Sequence, residues 1–427
     1  MVYSPAVSPE PRTEPIARRG DAAAAVLLWV PRFWPATGGT ELHTHALAER
    51  LAARGPVEVI THCDATETAR RSLAEDVCAT PHATLADGNV RIHRLGLAGA
   101  RSTIPSRLAR RYHGSRLARL AFGALFARHV GPAAREVAAR SDLVHFVYNG
   151  LTDAAVLAAR VAARRGVPFV LTPNVADTGG APTAWNSVRF RRLYRAAARL
   201  IALTEHEADW LARNGADRAR IRVVPYGPIL EPDPDGRRAR RALGIGDAPF
   251  VLFLGRVVES KGYDLLLGAS ARIWAHFPDA RVVLMGPATP ASREAVAAVG
   301  DPRLSLVEGA DQRLKSDALA GCDLMCLPSR GESLGVVYIE AFFNARPVVC
   351  LDLPVLRQVV AHERHGLLVE ESAEALAGAI GRLLGDPELR AGMGRRAERD
   401  ARARYDWPVV RDAVAAVYAE ALGTPGR

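Results

Sequence analysis

Short apolar runs rich in valine, isoleucine and leucine recur along the chain, separated by longer stretches whose apolar positions fall at helical spacing. In the first half the runs predict strands near 25–30, 57–61, 90–94, 143–147, 168–172, 199–203 and 221–225. Helical periodicity between them predicts helices over 39–54, 106–140 with a break at Pro132, 152–165 and 205–214. The second half repeats the pattern, with strands near 250–254, 281–285, 304–307, 323–327, 347–351 and 367–369. Helices fill the gaps at 261–277, 291–299, 313–321 and 335–344, with more from 355 onward. Strands alternating with helices in this way build parallel sheets, so the fold class is α/β with two doubly wound, Rossmann-like domains.

Residues 1–20 hold four prolines and mixed charge and read as a loose leader. A first domain over 21–228, a polar Pro-rich linker over 229–247, a second domain over 248–404 and a final helix within 405–427 complete the expected organisation. No sequence repeat is visible, which excludes solenoids and propellers. The run Ala22–Pro31 follows two arginines, but it is short and leads into Pro31-Arg32-Phe33-Trp34. A buried first strand fits this better than a signal peptide does.

Composition changes the picture only at a few points. The chain has 427 residues, 49% of them hydrophobic, enough for two ordinary domain cores. No apolar run approaches the ~18 residues of a membrane span. Five cysteines, at 63, 78, 322, 326 and 350, show neither metal-ligand spacing nor a disulfide framework, and point to a reducing cytoplasm. Net charge is +10, a balance that would ordinarily raise nucleic acid as a partner. Yet only Lys261 and Lys315 are lysines among 56 basic residues. That skew reflects arginine-rich composition, and with no nucleic-acid-binding motif present the expected partners include no nucleic acid.

Ligands of open α/β sheets sit beyond the carboxyl ends of the strands, so the loops leaving strands hold the candidate chemistry. The strand at 250–254 exits through Gly255 and Arg256 to Ser260, Lys261 and Gly262. Ser260 is expected to cap the next helix and to leave Lys261 at its first position, where a cation opposes the helix dipole unless an anion binds there. The strand at 323–327 exits through Pro328 and Ser329 to Glu332, Ser333, Leu334 and Gly335. There Ser333 is a candidate cap, and the amides after it are candidate phosphate donors. Glu340 follows within a helix, about 12 Å along the axis from Glu332 if the helical rise holds throughout. That is too far for a glycosidase acid–base couple, whose carboxyls stand ~5–9.5 Å apart. Carboxylates flanking a phosphate site instead suit a long ligand with hydroxyls at both ends, such as a nucleotide sugar.

In the first half Gly38 and Gly39 stand between strand and helix, where backbone can approach a ligand closely. His43 and His45 follow on different helix faces, and neither is expected to pair as a metal site. His145 ends a strand, four residues before Asn149. A dinucleotide-binding GxGxxG, a Walker lysine loop and a Gly-x-Ser-x-Gly elbow are all missing, which weighs against dehydrogenases, P-loop kinases and serine hydrolases.

Gly255-Arg256 with Lys261-Gly262, then Pro328-Ser329, Glu332 and Glu340 seven residues apart in the gap, and Pro347-Val348-Val349 together resemble the retaining glycosyltransferases of family four. Gly38-Gly39 before a helix, Gly227, and Gly366-Leu367-Leu368-Val369 extend the likeness over residues ~25 to ~420. The resemblance implies a GT-B fold, two Rossmann-like domains facing a cleft, and transfer from a nucleotide sugar with retention. It assigns Arg256 and Lys261 to the diphosphate, Glu340 to the ribose and Glu332 to sugar hydroxyls. Ser333, Leu334 and Gly335 assist the donor, and Gly38 or Gly39 closes on its phosphate. It implies no metal and no cofactor.

The family's His-x-His is incomplete here. His145 stands first and is the candidate catalytic histidine, but Val147 occupies the second position, which leaves Asn149 as a substitute. Leu334 stands for a usual phenylalanine and Ala345 for a usual glycine. The expected acceptor is a cell-surface polysaccharide or glycolipid, a natural product or small soluble molecule, or a sugar as in a sucrose- or trehalose-type synthase; the alternative is a catalytically silent sugar-nucleotide-binding or scaffold protein. In residues 106–128, Leu117, Leu120, Ala121, Ala124 and Leu125 form a stripe expected to pack on the sheet. Phe122 and Phe126 lie off it beside arginines, a surface suited to peripheral contact with an anionic membrane.

Overall fold

A computed structural model describes residues 24–36, 38–64, 72–98, 104–176 and 184–423. The expected leader lies outside them. The described residues fall into two compact units. An N-terminal unit runs to Val224 and takes in the chain again from Arg411; a C-terminal unit spans Pro225–Val410.

The N-terminal unit holds strands β1 (Val26–Trp29), β2 (Val57–Thr61), β3 (Ala83–Asp87), β4 (Val90–Arg94), β5 (Leu143–Val147), β6 (Phe169–Thr172), β7 (Arg199–Ala202) and β8 (Ile221–Val223). Its helices are α1 (Gly39–Ala52), α2 (Leu73–Ala79), α3 (Ile104–Arg110), α4 (Arg116–Ala138), α5 (Thr152–Arg165), α6 (Val188–Ala196) and α7 (Glu205–Arg213). The sheet order is β3-β4-β2-β1-β5-β6-β7-β8, parallel except for the edge strand β3. Strands β1 and β5 are buried along their whole length, as continuous apolar runs in a doubly covered sheet require. Strand β3 was not expected: Ala83-Thr84-Leu85-Ala86-Asp87 is largely exposed and pairs only with β4, so no apolar run marks it.

Two expectations for the 106–140 segment are overturned. Pro132 sits inside α4 without breaking it, and the interruption falls at 111–115, where Ser115 caps the new helix. The buried face is also the other one. Phe122 and Phe126 are fully buried, whereas Leu117 is 78% and Leu120 57% exposed. The phenylalanines stack at 6.2 Å, and Phe126 meets the edge of His62 at 4.9 Å. Two large rings fill the space over the sheet better than the leucine–alanine stripe would.

The C-terminal unit holds α8 (Gly236–Ala242), β9 (Phe250–Leu254), α9 (Tyr263–His276), β10 (Arg281–Met285), α10 (Pro290–Val299), β11 (Leu304–Val307), α11 (Gln312–Gly321), β12 (Leu324–Cys326), α12 (Val336–Phe343), β13 (Val348–Leu351), β14 (Gly366–Val369), α13 (Ala373–Gly385) and α14 (Pro387–Tyr405). Its sheet is wholly parallel, ordered β11-β10-β9-β12-β13-β14. Helix α8 lies within the stretch read as a linker. Asp317, almost fully buried, accepts from the amide of Asp235 at 2.7 Å and pairs with Arg238, which holds α8 to α11. The last helix, α15 (Trp407–Leu422), enters the N-terminal unit from Arg411.

Among the parallel strands of each sheet the order reverses at one place, beside β1 in the first and β9 in the second. Such switch points open the crevices in which α/β sheets bind ligands.

Candidate functional site

The loops leaving β9 and β12 are neighbours because those strands pair in register, Val251 with Leu324 and Leu252 with Met325. Gly262 ties the loops together. It has φ +73°, and a Cβ there would lie 2.0 Å from the carbonyl oxygen of Pro328, so only glycine fits. Arg330 N–H donates to the Ser260 carbonyl at 2.9 Å, closing the junction. Ser260 therefore caps nothing. Residues Glu259–Lys261 form a 3-10 turn, and α9 begins after Gly262, correcting the expected cap. Ser333 is likewise not the cap of α12; that position belongs to Gly335, at φ +78° and packed against the Tyr338 ring.

Within this frame Lys261 Nζ donates to Glu332 Oε1 at 2.6 Å. Arg256 is exposed at the carboxyl end of β9, and Leu334 is buried. Glu340, on the first turns of α12, is 2% exposed. Its Oε1 accepts from Lys315 Nζ at 2.7 Å and from Ile229 N–H at 3.0 Å. Its Oε2 is buried with no hydrogen-bond partner. A buried carboxylate oxygen left bare costs free energy until a donor reaches it, so Glu340 is built to accept a hydrogen bond. Both lysines of the chain thus hold the two glutamates that the sequence singled out. Lys315 was not among the candidate site residues. Its rarity in an arginine-rich chain was the available signal.

In the N-terminal unit the loops after β1 and β5 meet through Asn149. Its side-chain amide donates to the Arg32 carbonyl at 2.8 Å and to Glu41 Oε1 at 3.0 Å. Arg32 in turn pairs with Asp76 at 3.2 Å, both buried. Gly38 caps α1 with no side chain of its own, and a Cβ there would meet the Glu41 carboxylate at 2.3 Å. Gly39 opens the helix with no atom within 4 Å of where its Cβ would stand. Arg32, just past β1, and Glu41, in the first turn of α1, are polar residues that sequence reasoning passed over.

The structure places the candidate His145 in the core of the N-terminal unit. It is 2% exposed, with Nδ1 at 2.7 Å from the Tyr418 hydroxyl and Nε2 at 2.8 Å from Thr172 Oγ1. Burial pushes its pKa down to about 3, so the ring is neutral and fully bonded. Val147, where a second histidine would stand, is buried as well. His43 is buried; His45 stacks on Trp34 at 5.1 Å and pairs with Asp87 at 2.5 Å. Among the described residues, His45, Glu49 and Asp87 alone gather three ligand-type atoms within 4.8 Å. Two of those atoms already pair with each other, and the cluster sits partly in solvent.

Residues 235–400 match the family described as glycosyl transferases group 1, and residues 38–227 match the glycosyl transferase 4-like domain. The D-inositol 3-phosphate glycosyltransferase of Kineococcus radiotolerans is 30% identical over 90% of this chain and 91% of its own length. The chain belongs to the glycosyl transferases group 1 family.

Among other relatives of this family, the alpha-D-kanosaminyltransferase of Streptomyces kanamyceticus is 29% identical over 54% of this chain. The chain spans only 62% of that relative's length. The crystal structure of Anabaena Alr3699/HepE in complex with UDP and glucose aligns with a TM-score of 0.67. That alignment covers 93% of this chain and all of the other at 18% identity, and shows the fold to be GT-B. No helix of the described residues is long and apolar enough to cross a membrane.

Proposed function

We propose that this protein is a retaining glycosyltransferase, metal-independent and cytoplasmic, that moves a sugar from a nucleotide-sugar donor to an acceptor hydroxyl. The observation that carries the reading is the bare, buried Oε2 of Glu340 beside Lys315, one helix away from the Lys261–Glu332 pair. In this reading Glu340 Oε2 accepts from a ribose hydroxyl. Lys261, with two of its three N–H groups left after Glu332, and Arg256 face the diphosphate. Glu332 meets sugar hydroxyls, with Ser333, Leu334 and Gly335 lining the donor.

The acceptor oxygen bonds to the anomeric carbon as the bond from that carbon to the phosphate oxygen breaks. The departing phosphate takes the acceptor's proton on the same face, which preserves configuration. Negative charge grows on the leaving diphosphate, where fixed cations stabilise it most. With His145 sealed in the core, the leaving group itself supplies the base.

By their names the relatives above transfer kanosamine or glycosylate D-inositol 3-phosphate, which supports a glycolipid, cell-surface or natural-product glycoside as the product class. Exposed Arg107, Arg110, Arg111, Arg116 and Arg119, on α3, α4 and the turn between them, support peripheral contact with an anionic membrane. The test is an assay of nucleoside diphosphate release across a panel of nucleotide sugars and acceptors, with anomeric configuration read by NMR. Donor binding without release under every pairing would favour the silent sugar-nucleotide-binding protein.

A further inference from the structure

Helices α4, α5 and α6 of the N-terminal unit enclose a groove with about 600 Å3 of open space, lined by none of the residues assigned to the donor. This lies within the 300–1,000 Å3 typical of small-ligand sites. The floor is apolar: Leu120 and Ala124 from α4, Val156 and Ala163 from α5, Leu193 and Ala196 from α6. Leu117, one turn before Leu120, and Val188, at the start of α6, are also largely exposed. Soluble proteins rarely leave such contiguous apolar surface uncovered without a use for it.

Charge decides what the groove takes. Arg160, Arg189 and Arg192 stand along it. Arg189 is committed to Asp153, which also accepts from the Tyr112 hydroxyl at 2.6 Å, so the acid in the floor is neutralised. Arg160 and Arg192 have no ion-pair partner among the described residues, and both are exposed. A phosphate alone would have no use for the apolar floor. A neutral hydrocarbon would leave the two arginines unanswered.

We infer that the α4–α5–α6 groove binds the acyl chain of an anionic lipid, with the lipid's headgroup phosphate on Arg160 and Arg192. The inference deepens the membrane-contact reading above and rests on it for the source of the lipid, but its test uses monomeric amphiphile and so fails separately from vesicle binding.

The experiment is titration calorimetry of the full chain with dodecyl phosphate below its micelle concentration. Inorganic phosphate and dodecyltrimethylammonium serve as controls. Saturable binding of dodecyl phosphate, at least tenfold tighter than either control, is expected. Ala124→Phe/Ala163→Phe fills the groove and should weaken it at least tenfold. Arg160→Gln/Arg192→Gln, on exposed positions that leave the fold alone, should weaken it by a similar factor. Both variants should release nucleoside diphosphate at the parent rate. The inference is overturned if dodecyl phosphate does not saturate, if inorganic phosphate binds as well, or if the groove-filled variant binds unchanged. Binding of dodecyl phosphate by a protein that does not sediment with phosphatidylglycerol vesicles would uphold the groove and remove the membrane surface.

Discussion

Lys315 Nζ lies 2.7 Å from Glu340 Oε1, while the second oxygen of the same carboxylate is buried and bare. One side of the glutamate is held by the protein; the other is the oxygen proposed to meet the donor. Lys315 also donates to the Ile229 carbonyl at 2.9 Å, so its position is fixed by the chain entering the C-terminal unit as well as by its acid.

Glu340→Ala should weaken nucleotide-sugar binding by roughly 1.5–3 kcal/mol, the worth of a hydrogen bond to a charged group. Calorimetry with the matching donor reads this, and unchanged affinity would remove Glu340 from the site. Lys315→Met should lower the melting temperature as well as affinity, because it leaves a buried carboxylate uncompensated. Combined with Glu340→Gln it should recover stability and not affinity. That split separates holding the fold from holding the donor.

Arg256→Ala and Lys261→Ala should each reduce kcat more than they reduce stability, because the charge they meet develops in the transition state. Lys261→Ala also frees Glu332, so its effect should extend to KM for the donor. Chelator-treated enzyme should retain turnover. Loss of activity restored only by a divalent cation would refute the assignment of that charge to the two side chains.

Tyr418→Phe should destabilise the N-terminal unit by about 1–3 kcal/mol, since it leaves His145 Nδ1 buried without its partner. The same variant should keep kcat near the parent value if, as proposed, the leaving group and not His145 supplies the base. A large fall in kcat with an unchanged melting temperature would return His145 to catalysis.

Stability should depend on pH through two buried histidines. Burial lowers His145 to about 3 and His62 to about 4; His62 accepts from Trp29 Nε1 at 2.8 Å and donates to the Leu95 carbonyl at 2.8 Å. Both folded values lie below that of an unfolded histidine, ~6.5. The unfolded chain therefore binds more protons in acid, and this stability, complete above pH ~6.5, is lost as pH falls toward 4 and 3. Each group contributes about 1.4 kcal/mol per pH unit within its window. Glu207 acts in the opposite sense. Burial raises it to about 7, so its contribution is present below the unfolded carboxylate pKa and lost as pH rises through 7. Urea unfolding of parent and His145→Gln between pH 5 and 6.5 isolates the histidine term. The variant's slope should be shallower by about one proton, and equal slopes would contradict the neutral, buried ring.

Periodicity and loop chemistry by themselves determined the two parallel sheets and the parallel strands within them, and singled out Arg256, Lys261, Glu332 and Glu340 as donor-side candidates. Continuous apolar runs can be satisfied only inside a doubly covered sheet, and polar residues just past their ends have only the crevice to face. The edge strand β3 escaped because an exposed strand needs no apolar run. The inward face of α4 escaped for a different reason. Both the arc through Phe122 and Phe126 and the arc through Leu117 and Leu120 are apolar, so periodicity marks a helix without choosing its core side. Only the fit of two stacked rings against the sheet and His62 decides it. Lys315 and Tyr418 likewise needed the fold. Lys315 is 25 residues from Glu340, and Tyr418 is 273 from His145. No local pattern encodes such pairs, because their energies arise only when tertiary structure brings both partners out of water.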